Sequence, residues 1–257
     1  DEGYSKKAKV NISEKQKQIF GYQLFNSEKL SFEPPVNIPV PQNYILGIDD
    51  EVTISVWGNN QKTYQLKVQS NGAVNIPDVG PVYVSGMEYS KAKELIKKRL
   101  MSIYSNMAGS NPSTFADVAV SNARSIKVNV IGEAMIPGTY TLPSTASAFN
   151  ALYLSGGPNE NGSFRNIKVI RDNKTIGTID VYDYIINANT ASNIQLREQD
   201  IIYVPVYEKR VWASGEFKRK GLFELKENEK VADLLKYTGG LTEKAFKSQL
   251  SVTRFTE

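Results

Sequence analysis

Residues 132–157 read GEAMIPGTYTLPSTASAFNALYLSGG, and residues 215–240 read GEFKRKGLFELKENEKVADLLKYTGG. The two stretches align without a gap at a constant offset of 83 residues, and the match extends over 128–171 against 211–254. Gly132 meets Gly215, Glu133 meets Glu216, Gly138 meets Gly221, Leu142 meets Leu225, Leu152 meets Leu235, and Gly156-Gly157 meets Gly239-Gly240. Glycine is required where the backbone turns left-handed or runs close to a neighbour, so glycines at fixed spacing imply the same turns in the same places. Internal duplication explains the pattern.

Each copy carries the same plan. A strand signal comes first, Ile126 to Ile131 in one copy and Arg210 to Ala213 in the other. Turns at Ile136-Pro137-Gly138 and Arg219-Lys220-Gly221 lead to second strands at Thr139 to Leu142 and Leu222 to Leu225. Thr145 and Asn228 are the expected helix caps. Ala148, Ala151 and Leu152, matched by Val231, Leu234 and Leu235, then follow helical spacing. The glycine pairs end each helix. The first copy continues through strand signals at Ile167 to Ile170, Thr175 to Val181 and Ile201 to Val204, whereas the second reaches Glu257 soon after Val252 and is expected to be truncated.

A different unit lies upstream. Val52 to Trp57 alternates in polarity and ends at Gly58, as a half-buried strand does. Ser70-Asn71-Gly72 between Leu66-Lys67-Val68 and Ala73 to Ile76 predicts a hairpin. Ser90 is the expected cap of a helix whose apolar face holds Ala92, Leu95, Ile96, Leu100 and Ile103. Residues 101–114 read as a loop. A short helix is expected near Ser13 to Gly21, and Pro34-Pro35 with Pro39-Val40-Pro41 reads as an extended linker.

Composition narrows the chemistry. The 257 residues include no cysteine and no histidine. That excludes disulfides, thiolate or imidazole metal sites, a cysteine nucleophile and a serine–histidine triad, and leaves carboxylate or lysine chemistry. The net charge of +4 is mild, and the runs Lys97-Lys98-Arg99 and Lys218-Arg219-Lys220 read as solvated surface rather than a nucleic-acid footprint. No apolar stretch is long enough to span a bilayer, and Asp1-Glu2-Gly3 reads as an interior start without a leader.

Residues 44–58, YILGIDDEVTISVWG, and residues 68–80, VQSNGAVNIPDVG, resemble the opening motifs of the polysaccharide export domain. The repeats resemble SLBB domains, small β-grasp modules. Together the resemblance is to Wza-like outer-membrane polysaccharide exporters, over residues 41–257. It implies an α+β fold with four parts: an N-terminal extension and proline-rich linker (1–40), a polysaccharide export domain (41–122), a first SLBB domain (123–207) and a second, truncated SLBB domain (208–257). The family's usual Pro-Gly-Asp turn is replaced by Ile48-Asp49-Asp50, and the same Leu-x-x-x-Asp spacing recurs at Leu196 and Asp200. The family's lipidated cysteine and C-terminal amphipathic helix do not occur in 1–257. They were trimmed away, or this is a longer member with further repeats downstream.

The resemblance implies a non-catalytic, ring-shaped conduit on the periplasmic face of the outer membrane. Its expected partners are the exported capsule or exopolysaccharide, an inner-membrane polysaccharide co-polymerase and further copies of the chain, with no nucleic acid and no cofactor. Two alternatives stand beside it: a periplasmic ligand- or glycan-binding module built on β-grasp repeats, and a two-carboxylate carbohydrate enzyme. Asp49-Asp50-Glu51 reads as a turn entering a strand rather than as catalytic acids, because neighbouring strand residues face opposite ways. Trp57, Trp212 and the tyrosines could stack on sugars, but half-buried strands also favour aromatics. No residue is assigned as catalytic or metal-binding, and the ligand-binding residues stay unknown at this level.

Overall fold

The computed structural model describes residues 3–7, 9–27, 31–34, 39–109, 111–246 and 251–253. Part of the proline-rich stretch (35–38) and the end of the second copy (247–250 and 254–257) lie outside them. Helices α1 (Glu14–Lys17) and α2 (Gln23–Asn26) open the chain. Strands β1 (Glu51–Gly58), β2 (Lys62–Lys67), β3 (Ala73–Ile76) and β4 (Gly80–Tyr83) follow, then helix α3 (Tyr89–Leu100) and β5 (Thr114–Asn122). The first copy holds β6 (Ser125–Gly132), β7 (Gly138–Pro143), α4 (Ala148–Leu154), β8 (Ile167–Arg171), β9 (Lys174–Ile179), α5 (Val181–Asn187) and β10 (Ile201–Val204). The second holds β11 (Lys209–Ala213), β12 (Gly221–Leu225) and α6 (Val231–Tyr237).

Two apolar cores organise these elements. In the upstream core, β1 runs between β2 and β5, both antiparallel to it. Val52, Ile54 and Val56 of β1 turn inward, where they meet Val118 of β5 and Ala92, Ile96 and Leu100 of α3. Burial of the valine, isoleucine and leucine side chains contributes roughly 1.5–3 kcal/mol each before entropy is counted, and that of Ala92 less. β5 completes this sheet: the alternating FADVAVS of 115–121 follows directly on the loop signal of 101–114 and forms a strand by pairing with β1. The expected hairpin forms only its turn: Gly72 donates to Gln69 and Gln69 to Ala73. No ladder follows, because β2 is already paired to β1 and β3 folds onto β4. Helix α3 begins at Tyr89 after Glu88, so Ser90 lies inside it rather than capping it.

The first copy forms a mixed sheet in the order β7-β6-β10-β8-β9, with β6 and β10 parallel. α4 covers it with all seven residues buried. Thr145 and Asn228 do not cap. Asn150 instead accepts from the Ser147 backbone, and Asp233, its counterpart, accepts from Lys230. Val181 begins α5 rather than ending β9. The duplication extends to individual hydrogen bonds. Met135 donates to Gly157 as Lys218 does to Gly240, Ile136 to Ser155 as Arg219 to Thr238, and Gly157 to Leu152 as Gly240 to Leu235. The glutamate in each copy's opening Gly-Glu accepts from an equivalent side chain, Asn159 on Glu133 and Thr242 on Glu216.

The N-terminal stretch joins this second core. Ser13 caps α1 by accepting from Gln16. Phe20 stacks on Phe223 at 5.1 Å and meets Tyr182 edge-on at 4.8 Å. The Phe20 amide donates to Leu222, and the Leu222 amide donates to Gln18, so this segment covers the outer edge of β12. Ser5 and Thr141 make the corresponding contact on β7, the equivalent strand of the first copy. Phe25, fully buried, sits against Gly157, where an added Cβ would come within 2.5 Å of its ring. Phe25→Ala is therefore expected to cost about 3–5 kcal/mol. Urea unfolding of the purified chain reads this directly, and a loss below about 1 kcal/mol would mean that the segment is not part of the core.

Candidate functional site

Of the acidic triplet, Asp50 is fully buried while Asp49 and Glu51 are exposed. Asp49 takes a left-handed φ of 76°, which lets the chain turn without glycine. Asp50 accepts from the Tyr44 hydroxyl (2.7 Å), the Gly47 amide (2.7 Å), the Arg124 amide (2.8 Å) and the Arg124 guanidinium (2.9 Å). Its oxygens are committed to holding the turn. Gly47 leaves room for this arginine, since a Cβ there would lie 2.5 Å from the guanidinium carbon. The spacing repeats with the same chemistry at Asp200, fully buried, which accepts from the Arg197 amide and pairs with Arg171 at 2.7 Å. Both aspartates are structural anchors. Tyr44 also meets Ser144 at 2.6 Å, which ties the upstream core to the first repeat.

A second polar cluster lies between the two repeats. Arg165 comes from the loop before β8 and is 5% exposed. It donates to Asp180 at 3.0 Å and to Glu229 at 2.5 Å. Its guanidinium lies 4.7 Å from the ring centroids of both Tyr182 and Tyr237, a doubly stacked cation. Lys226 reaches Asp180 at 2.8 Å, and Tyr237 donates to Glu229 at 2.5 Å. Beside them Glu224 accepts from the Ser163 hydroxyl and the Phe164 amide, and Arg210 donates to the carbonyls of Glu160 and Gly162. Residues of the second repeat thereby satisfy the polar groups of the first.

Burial works most strongly against the charge of Asp180 and of Glu229, but hydrogen bonds from Arg165 together with Lys226 at Asp180, and with Tyr237 and the Lys226 amide at Glu229, outweigh it and hold both carboxyls below their usual range. Burial likewise opposes the charge on Arg165, and its two carboxylate partners raise its pKa above the ordinary arginine value. Glu224 differs, because burial dominates and pushes its carboxyl up. The Tyr237 phenol is pushed to about 12 by burial and by Glu229.

A cavity of about 300 Å³ opens on this cluster, lined in part by Arg165, Lys226, Asp180 and Asp183. These four charges balance, and each is already engaged. Asp183 accepts from Asn187 and Asn189, and the others pair with one another or with Glu229. The arrangement is suited to fixing the two repeats against each other rather than to holding an ion. Its residues were legible as departures from the repeat, since Glu224, Glu229 and Tyr237 stand where the first copy has Thr141, Ala146 and Leu154.

The tryptophans are exposed, Trp57 at 47% and Trp212 at 51%, whereas Tyr22, Tyr44, Tyr64, Tyr89, Tyr140, Tyr153 and Tyr182 are buried. Among the described residues no group of three acidic, histidine or cysteine side chains could hold a metal, and no helix is long and apolar enough to cross a membrane.

The sequence matches a family model described as polysaccharide biosynthesis/export protein over residues 38–112. SLBB domain models match residues 126–204 and 213–257. Among curated proteins, two polysialic acid transport proteins KpsD from Escherichia coli are each 28% identical over 212 residues. That alignment takes in 82% of this chain and 36% of each relative, so the chain spans about a third of their length.

Arg165→Met leaves the half-buried Glu229 without its cation and Asp180 with Lys226 alone, and is expected to cost about 3 kcal/mol at pH 7, the low end for a broken buried pair. Because these two carboxyls titrate lower folded than unfolded, their contribution is complete above the ordinary carboxylate range. It is lost as pH falls from that range down through the lowered folded values, so the variant should show a flatter acid limb below about pH 4. Glu224, whose pKa is raised, acts in the opposite sense, and Glu224→Gln should leave stability at pH 7 unchanged or higher. Thermal unfolding across pH 3–8 checks both variants, and an Arg165→Met protein as stable as the parent would show that the cluster does not hold the joint.

Proposed function

The chain belongs to the polysaccharide export protein family, and from that premise we propose that it is a non-catalytic section of an export conduit whose cargo is an acidic polysaccharide. The family is one of transport rather than enzymatic proteins. Residues 41–122 act as the export domain, and residues 123–207 and 208–257 act as SLBB layers stacked on it, with contacts from Ser5, Gln18, Phe20 and Phe25 of the N-terminal extension (1–40) tying the two layers together. Copies of the chain close into a ring on the periplasmic side of the outer membrane. The polymer passes through the lumen, delivered by an inner-membrane polysaccharide co-polymerase. The name of the Escherichia coli relatives, polysialic acid transport protein, supports an acidic cargo.

The observation that carries the reading is the joint between the repeats. A conduit needs layers held at a fixed angle, and Arg165 makes four ionic or stacking contacts across or beside that boundary. A transporting wall must also bind weakly, since a site of micromolar affinity (about 8 kcal/mol) would stall a polymer at every step. The buried carboxylates are spent on structure, and the exposed polar surface is left for contact with a hydrated chain.

The native mass of the full-length mature protein, extracted from membranes in mild detergent, tests the ring. A closed assembly of several protomers is expected. A monomer at all concentrations would overturn the conduit and leave a periplasmic ligand-binding module as the better description.

A further inference from the structure

The outward face of sheet β2-β1-β5 carries an exposed aromatic pair that packs into neither core. Trp57 of β1 stands directly opposite Phe115 of β5. Their rings stack with centroids 6.1 Å apart and planes 26° apart, and both remain close to half exposed. Their neighbours on the same face are short and polar: Thr53 and Ser55 on β1, Thr63 and Gln65 on β2, and Asp117 two residues along from Phe115. Lys93 and Lys97 of α3 reach round the β5 edge to Asp117 at 2.7 and 3.4 Å. Two cations against one carboxylate leave a positive charge unbalanced, roughly 7 Å along the strand from the aromatic pair.

We propose that this face is a binding site for an acidic polysaccharide, which rests on the export reading above. The apolar C–H face of a pyranose ring lies on the Trp57–Phe115 platform, which is long enough across two strands for two consecutive sugar rings. Hydroxyl groups of the sugar exchange hydrogen bonds with the threonine, serine and glutamine side chains. A carboxylate of the polymer meets Lys93 and Lys97 in competition with Asp117. The site is open and flat, so binding is weak and reversible. A second copy of the chain fits this face less well, because protein interfaces concentrate apolar side chains at their centre and disfavour serine, aspartate and lysine there. Trp212 lacks the arrangement, since its cross-strand partner is Leu222.

The test uses the whole chain carrying Trp212→Phe, so that tryptophan fluorescence reports Trp57 alone. An oligogalacturonate hexamer is titrated against it, with maltohexaose as the neutral probe. Saturable quenching in the millimolar range is expected, tighter for the acidic hexamer, with that preference abolished by Lys93→Ala/Lys97→Ala and by raised salt. Calorimetry or gel retardation in the same glycan should show an affinity about tenfold weaker in Trp57→Ala and in Phe115→Ala, with Trp57→Phe restoring most of it. Unchanged melting temperatures establish that the variants fold. Binding that is indifferent to both aromatic substitutions overturns the proposal. So does a Trp57→Ala protein that loses oligomeric mass while keeping its glycan affinity, which would assign the face to a second copy. If the full-length protein forms its ring while the Trp57 and Phe115 variants export polymer at the parent rate, this site fails and the conduit stands.

Discussion

A buried cation cannot be left without partners, and Arg165 is where that constraint acts on this molecule. Taking a guanidinium out of water costs several kcal/mol, which only well-placed carboxylates and ring faces can offset. Here one carboxylate comes from the first repeat and the other from the second, and the two flanking tyrosines are divided the same way. The repeats therefore cannot rotate against each other without breaking several contacts together. Apolar packing alone would tolerate a range of angles, whereas a fixed hydrogen-bond geometry does not.

The N-terminal stretch meets a related problem. An edge strand exposes unpaired amides and carbonyls that invite association with other chains. β7 and β12 are equivalent edges of the two copies, and one segment runs past both, with Ser5 on the first and Gln18 and Phe20 on the second. Phe25 then fills the niche that Gly157 leaves open. Among the described residues, the equivalent Gly240 has no heavy atom within 4 Å of an added Cβ. The same local sequence thus has two environments, and the difference arises from a segment more than a hundred residues away in the chain.

Duplication kept what the backbone needs and released what the surface does not. The glycine turns, the reciprocal helix caps and the glutamate at the opening turn are matched bond for bond between copies. The positions that diverged, Thr141 to Glu224, Ala146 to Glu229 and Leu154 to Tyr237, face the other repeat. A charged or aromatic residue standing where the other copy has a small or apolar one marks an interface, and that signal lies in the sequence. The hairpin at Ser70-Asn71-Gly72 shows the converse. Its turn chemistry was right, but turn preference is local, and the ladder was decided by which strands were already paired.

The sequence by itself determined the α+β class, the two copies, their turns and helices, and the family, because glycine spacing and apolar periodicity are set by neighbours a few residues apart. It also indicated that Asp49-Asp50-Glu51 is a turn, since adjacent strand residues diverge. It did not reveal β5 as the partner of β1, the contacts of Ser5, Gln18, Phe20 and Phe25 with the two repeats, or the pairing of Arg165 with Asp180 and Glu229. Nor did it distinguish the exposed Trp57–Phe115 pair from the many buried tyrosines. Those depend on which distant surfaces meet, and burial and pairing between residues far apart in the chain exist only once the chain has folded.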